Sequence, residues 1–91
     1  MKILCVDDDD RKLSMFRRNL SQRFQLETAS TGEEALAVVR RGGVAVVVAD
    51  LRMPGMDGFE LLARVAEIAP LTVKIMLTGH ADLDAAIAGV N

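Results

Sequence analysis

Four consecutive aspartates, Asp7 to Asp10, follow directly on the apolar run Ile3-Leu4-Cys5-Val6. An isolated acid, Asp50, follows on Val44-Ala45-Val46-Val47-Val48-Ala49, and a third apolar run, Val73 to Leu77, ends at Thr78. In each case a polar side chain stands where a segment that reads as a buried strand stops. Strands that neighbour one another in a parallel sheet put such ends on one edge, where ligands bind. Asp7, Asp8 and Asp50 then converge. Carboxylates held together resist ionising unless a cation offsets their charge. All-oxygen donors with room for water suit Mg²⁺. A metal so held bridges to a phosphoryl oxygen and leaves one carboxylate free as a nucleophile. Thr78, at the neighbouring strand end, is placed to hydrogen-bond a phosphoryl oxygen.

Plainer readings compete for several of these residues. Asp9 or Asp10 reads as the cap of a following helix, and so does Asp57. His80, the single histidine, lies two residues past Thr78 and has no second nitrogen or sulfur ligand nearby, so it rims the pocket rather than binding metal. Cys5 sits inside an apolar run and reads as a small core residue.

The elements that must position these groups alternate regularly. Met1 to Val6 reads as a buried strand. Leu13, Phe16 and Leu20 then recur at helical spacing. Phe24 to Glu27 alternates like an edge strand. Thr31 with Glu34 forms a capping-box pattern, with Ala35, Leu36 and Val39 on the inner face of a second helix that Gly42-Gly43 stops. Val44 to Ala49, apolar on both faces, belongs in the middle of a sheet. Asp57 and Glu60 open a third helix, with Phe59, Leu62, Val65 and Ala66 expected inside. Val73 to Leu77 is a fourth strand, and Asp82 opens a fourth helix bearing Leu83, Ala86, Ile87 and Val90. Four strand–helix alternations predict an α/β fold with a parallel sheet.

Composition bounds the function. The 91 residues make one domain at most, 51% hydrophobic and 26% charged, which excludes a disordered chain. A net charge of −2 gives no overall attraction to nucleic acid or anionic lipid. One cysteine permits no internal disulfide and fits a reducing, cytoplasmic setting. No signal peptide or membrane span is expected. No helix-turn-helix or basic face supports direct nucleic-acid binding.

Three blocks carry a family resemblance: Ile3-Leu4-Cys5-Val6-Asp7-Asp8-Asp9, Val48-Ala49-Asp50-Leu51-Arg52-Met53-Pro54-Gly55-Met56-Asp57-Gly58, and Ile75-Met76-Leu77-Thr78-Gly79. Together they resemble the receiver domain of bacterial response regulators, over essentially the whole chain. The resemblance implies a flavodoxin-like (CheY-like), doubly wound parallel sheet of strand order 2-1-3-4. It also implies a two-component phosphorelay role. Asp50 would accept a phosphoryl group from a sensor histidine kinase or phosphotransfer protein. Asp8, Asp50 and the Arg52 backbone carbonyl would bind Mg²⁺, with Asp7 acting through metal-bound water. Thr78 would move toward the phosphoryl group, and Arg52 and His80 would tune its loss.

Receivers usually continue into a fifth strand and helix, the strand ending in a lysine that pairs with the phosphoryl group. The sequence ends at Asn91, before these elements, so a C-terminally truncated receiver spanning 1–91 is expected. Lys74 lies within strand four, and Lys2 and Lys12 read as misplaced for that role. The alternative is a receiver remnant that does not become phosphorylated and serves as a protein-binding or dimerisation module. A haloacid-type Mg²⁺ phosphatase is disfavoured, because Arg52 stands where an acid two residues after the nucleophile is required. A sheet face covered only by helix one predicts an apolar strip and, with it, self-association.

Overall fold

The structure, a computed structural model, describes residues 1–77. Seven elements follow in strict alternation: β1 (Lys2–Val6), α1 (Asp10–Leu20), β2 (Gln25–Ala29), α2 (Gly32–Arg40), β3 (Val44–Asp50), α3 (Gly58–Ile68) and β4 (Val73–Leu77). The four strands form one sheet in the order β2-β1-β3-β4, and every pairing is parallel. This is the doubly wound arrangement, with β1 as the strand at which the winding reverses. Thr78, His80 and the helix expected from Asp82 lie outside the described residues.

The two faces of the sheet are covered unequally. On one face Leu4, Val6, Val47 and Ala49 pack with Ala35, Leu36 and Val39 of α2 and Leu61 and Val65 of α3. On the other, Ile3 and Cys5 pack against Leu13 of α1, with Phe16, Leu20, Val46 and Val48 partly buried around them. β3 is therefore fully covered on one side only: its burial alternates, contrary to the expectation of a strand enclosed on both faces. α1 lies over β1 and β2 and leaves the β3–β4 flank open. There Val73 and Ile75, which stand beside Val46 and Val48 in the register, are 55% and 44% exposed.

The caps agree with the helix boundaries. Asp9 caps α1 by accepting from the Arg11 amide, Thr31 caps α2 by accepting from the Glu34 amide, and Asp57 caps α3 by accepting from the Glu60 amide. Glu34 closes its box one residue early, accepting from the Ser30 amide at 3.1 Å. Gly42 and Gly43 both take positive φ, 86° and 85°, where a side chain would be strained, and so end α2 sharply.

α3 departs from the expected face. Gly58, Leu61 and Val65 are its buried positions, Leu62 is half-buried, and Ala66 is exposed. Phe59 is 65% exposed. The cause lies at the start of the helix. A Cβ on Gly58 would stand 2.6 Å from the Asp50 carbonyl oxygen and 2.9 Å from Leu51 Cα. Glycine lets the helix abut the strand end there, and that contact turns positions 58, 61 and 65 inward at helical spacing.

Candidate functional site

The strand register brings the acids together. Cys5 lies opposite Val48 across the β1–β3 pairing, so two residues further on Asp7 and Asp50 share one side of the sheet edge. Asp7, Asp8 and Asp50 each offer a carboxylate oxygen, and all three oxygens lie within 4.8 Å of one another. Parallel strands separated by a crossover put residues 7 and 50 side by side, a placement that no local feature of either segment reveals.

The three acids sit in different environments. Asp7 is 3% exposed, Asp50 intermediate and Asp8 exposed. Asp7 is oriented by its own turn: its Oδ1 accepts from the Asp9 amide at 2.9 Å, and its backbone amide donates to the Ala29 carbonyl at 3.1 Å. Burial pushes the Asp7 carboxyl above the ordinary carboxylate range, and the neighbouring Asp50 and Asp8 charges push the same way. The Asp9 amide and Lys12 oppose the rise. Lys12 Nζ lies 3.9 Å from Asp7 Oδ2. The sequence offered it only as a residue misplaced for the role of the fifth strand's lysine; the structure puts it at the rim of the cluster, on α1. Side chains of a helix tilt back toward its N-terminus, and the N-terminus of α1 opens at this sheet edge.

The segment after Asp50 is held at both ends. The Leu51 amide donates to the Leu77 carbonyl at 3.0 Å, and the Gly58 amide donates to the Leu51 carbonyl at 2.9 Å. Met53 is buried in the core shared with α2 and α3. Met56 packs so closely on Gly32, at the start of α2, that a Cβ there would meet its sulfur at 2.6 Å. Beside the acids the loop forms a groove of about 530 Å³ lined by Leu51, Arg52, Met53, Pro54, Asp57 and Phe59. The sequence reading placed Phe59 in the core; it borders this groove instead. Asp57 caps α3 and is not a member of the carboxylate cluster. Cys5 is buried, its thiol pushed up to about 11 by burial, and is an inert core residue.

The donor set fits a hard divalent cation. It consists of three carboxylates, one of them made reluctant to ionise by burial and by its acidic neighbours. Mg²⁺ takes few protein carboxylates and keeps several waters, and exposed Asp8 and half-buried Asp50 leave room for them. No helix among the described residues is long and apolar enough to cross a membrane.

A parallel sheet of order 2-1-3-4 with three acids at the C-terminal ends of β1 and β3 is a flavodoxin-like fold with a carboxylate cluster at the edge where such sheets bind ligands. The family profile for the response regulator receiver domain matches residues 3–91, and the chain belongs to that family. The chain is 42% identical over 89 residues to the hydrogenase transcriptional regulatory protein HoxA of Cupriavidus necator, covering 98% of this chain and 18% of that protein. It is 37% identical over 84 residues to the DNA-binding transcriptional regulator NtrC of Salmonella typhimurium, covering 91% of this chain and 18% of that one. It thus spans under a fifth of the length of either relative. Among solved structures, a chain described as an adenylate cyclase from Rhodopirellula baltica superposes with a TM-score of 0.86 at 43% identity, over 99% of this chain and 67% of that one. A CheY-like receiver domain protein of Methanospirillum hungatei superposes with a TM-score of 0.84 at 33% identity, over 99% and 73%. The fold and the family expected from the three sequence blocks are those observed.

Proposed function

We propose that residues 1–91 belong to one receiver domain whose Asp50 accepts a phosphoryl group from the phosphohistidine of a sensor kinase or phosphotransfer protein, in a cytoplasmic two-component relay. The observation that carries this reading is the meeting of Asp7, Asp8 and Asp50 oxygens within 4.8 Å in a chain of the receiver family. In the transfer a carboxylate oxygen of Asp50 forms a bond to phosphorus and the phosphorus–nitrogen bond breaks. The departing imidazole nitrogen keeps the electron pair and takes up a proton from solvent.

Asp8, Asp50 and the Arg52 carbonyl would hold Mg²⁺, with Asp7 acting through a bound water. When bound, the ion supplies positive charge that offsets the pocket's repulsion and the charge on the transferred oxygens. The chain's own residues do the rest. The clamped Leu51 and Gly58 amides keep the Asp50 backbone from shifting as the new bond forms. The Asp9 amide keeps Asp7 facing the pocket. Thr78 is proposed to donate its hydroxyl to a phosphoryl oxygen.

The decisive experiment is intact-mass spectrometry after incubation with acetyl phosphate and Mg²⁺. The parent chain should gain the mass of one phosphoryl group, Asp50→Asn should not, and Asp57→Asn should gain it at the parent's rate. Uptake by Asp50→Asn at the parent's rate overturns the assignment. A parent chain that takes up nothing favours the non-phosphorylated binding module.

Self-association of the chain is also proposed. The Val46, Val48, Val73 and Ile75 strip supports it, as does the outer edge of β4, which has no partner strand among the described residues. A second copy related by a two-fold axis would cover both. Light scattering on a dilute sample should give more than the monomer mass; a monomer that binds no hydrophobic dye rejects it.

A further inference from the structure

Lys12 reaches the buried member of the carboxylate pocket from the first turn of α1. Its Nζ is 3.9 Å from Asp7 Oδ2, and its side chain is 52% exposed while that of Asp7 is 4% exposed. Its backbone is anchored, since the preceding Arg11 amide donates to the Asp9 cap at 2.9 Å and the Lys12 amide donates to the Asp9 carbonyl at 3.0 Å. Its head is not. A charge-assisted hydrogen bond between ammonium and carboxylate closes to about 2.7–2.9 Å, so this pair is a loose one. The neighbouring Arg11 is committed elsewhere, to Asp9.

The charges in the pocket give this loose pair a role. Three ionised carboxylates and one ammonium leave two negative charges, which a single divalent ion balances. Lys12 and that ion are attracted by the same acid and repel each other. A phosphoryl group on Asp50 replaces a singly charged carboxylate with a doubly charged acyl phosphate. That adds one negative charge at the place Lys12 can reach once the metal has relieved Asp7.

We infer that Lys12 is a tethered, movable counter-ion of this pocket: it competes with the divalent cation for Asp7 before transfer and pairs with a phosphoryl oxygen on Asp50 afterwards. The inference rests on Asp50 being the acceptor. No bond to Lys12 forms or breaks and no proton leaves it; it acts by position and charge.

Two titrations on the full chain test it, with Lys12→Gln and Lys12→Arg as variants. Calorimetric titration with Mg²⁺ alone should show Lys12→Gln binding about three- to tenfold more tightly than the parent, the scale expected of one exposed charge. Titration with beryllium fluoride, a phosphoryl mimic, at saturating Mg²⁺ should show the same variant binding more weakly by a similar factor. Lys12→Arg, which keeps the charge, should stay near the parent in both. Opposite movements in the two titrations are the mark of a shared counter-ion. A residue that merely braces the helix would move both the same way or neither, and either result overturns the inference. If the parent binds Mg²⁺ but no beryllium fluoride, the acceptor reading of Asp50 fails. The Mg²⁺ titration still decides the competition, with unchanged affinity in Lys12→Gln rejecting it.

Discussion

Two charged sites on one small sheet are built in opposite ways. On the edge strand β2, Glu27 stands between two cations, Lys2 Nζ at 2.9 Å and Arg41 Nη2 at 3.1 Å. Its carboxyl is held below the ordinary range, first by the hydrogen bond from Lys2. At the C-terminal edge, Asp7 shares its space with two further acids and one cation at 3.9 Å, and its carboxyl is pushed up, first by burial. The Glu27 charge is paired as it stands and ties β1 and the end of α2 to β2. Asp7 is instead strained by burial and by like charge, and a carboxylate so perturbed is what a binding site for a cation or a charge-transferring partner looks like.

The largest test of this contrast is to supply a cation. Millimolar Mg²⁺ should raise the melting temperature by several degrees through binding to the folded state alone, up to about 2.7 kcal/mol at a hundredfold excess over Kd. Asp8→Ala should lose most of that gain and Glu27→Gln should keep it; a melting temperature indifferent to Mg²⁺ would remove the distinction between the two sites.

A smaller effect should come from relieving the repulsion. Asp7 has a raised folded pKa, so its contribution is favourable at low pH, below the unfolded value, and is lost as pH rises through the folded pKa. In metal-free buffer Asp7→Asn should therefore melt a few degrees above the parent at pH 7, with the difference shrinking on acidification. Denaturant titrations in a chelator across that range provide the check, and a variant less stable than the parent at pH 7 would show that the acid is already compensated.

Smallest should be the converse at Glu27. Its depressed pKa means stability that is present above the unfolded value and disappears as pH falls through the folded one. Glu27→Gln should cost less than about 1 kcal/mol, as expected of a partly exposed pair, and should lose its difference from the parent in acid. Equal pH dependence of Asp7→Asn and Glu27→Gln would break the comparison.

Much of this was legible in residue order. Apolar runs ending in Asp7-Asp8 and Asp50 marked the strand ends, and Asp9, Thr31 and Asp57 marked the caps, because strand ends and caps are local events written in adjacent residues. What depended on the approach of one element to another was not. Phe59 looked like a core residue by helical spacing, but the phase of α3 is set by Gly58 against the Asp50 carbonyl, a contact between two elements. Lys12 was weighed only as a stand-in for the fifth strand's lysine, and its approach to Asp7 went unread, because it depends on the backward tilt of helix side chains toward the edge from which α1 departs. Thr72 gave no signal at all, yet its hydroxyl donates to the Val44 carbonyl at 2.8 Å and ties the start of β4 to the start of β3.

The register of the central strand bears on when this pocket comes into being. β1 pairs on one side with β2, starting with Lys2 opposite Gln25, and on the other with β3, starting with Lys2 opposite Val44. The first pairing closes a short loop through α1. The second must bring together stretches separated by α1, β2 and α2, and closing the larger loop is slower. The loop-closure argument predicts that Asp7 and Asp8 reach their places before Asp50 joins them. During refolding, a βαβ unit of β1, α1 and β2 can gather before any carboxylate has its neighbour, and uptake of a divalent ion should lag behind the first gain of helix. If the pocket binds a divalent ion as proposed, its uptake would report the docking of β3 against β1.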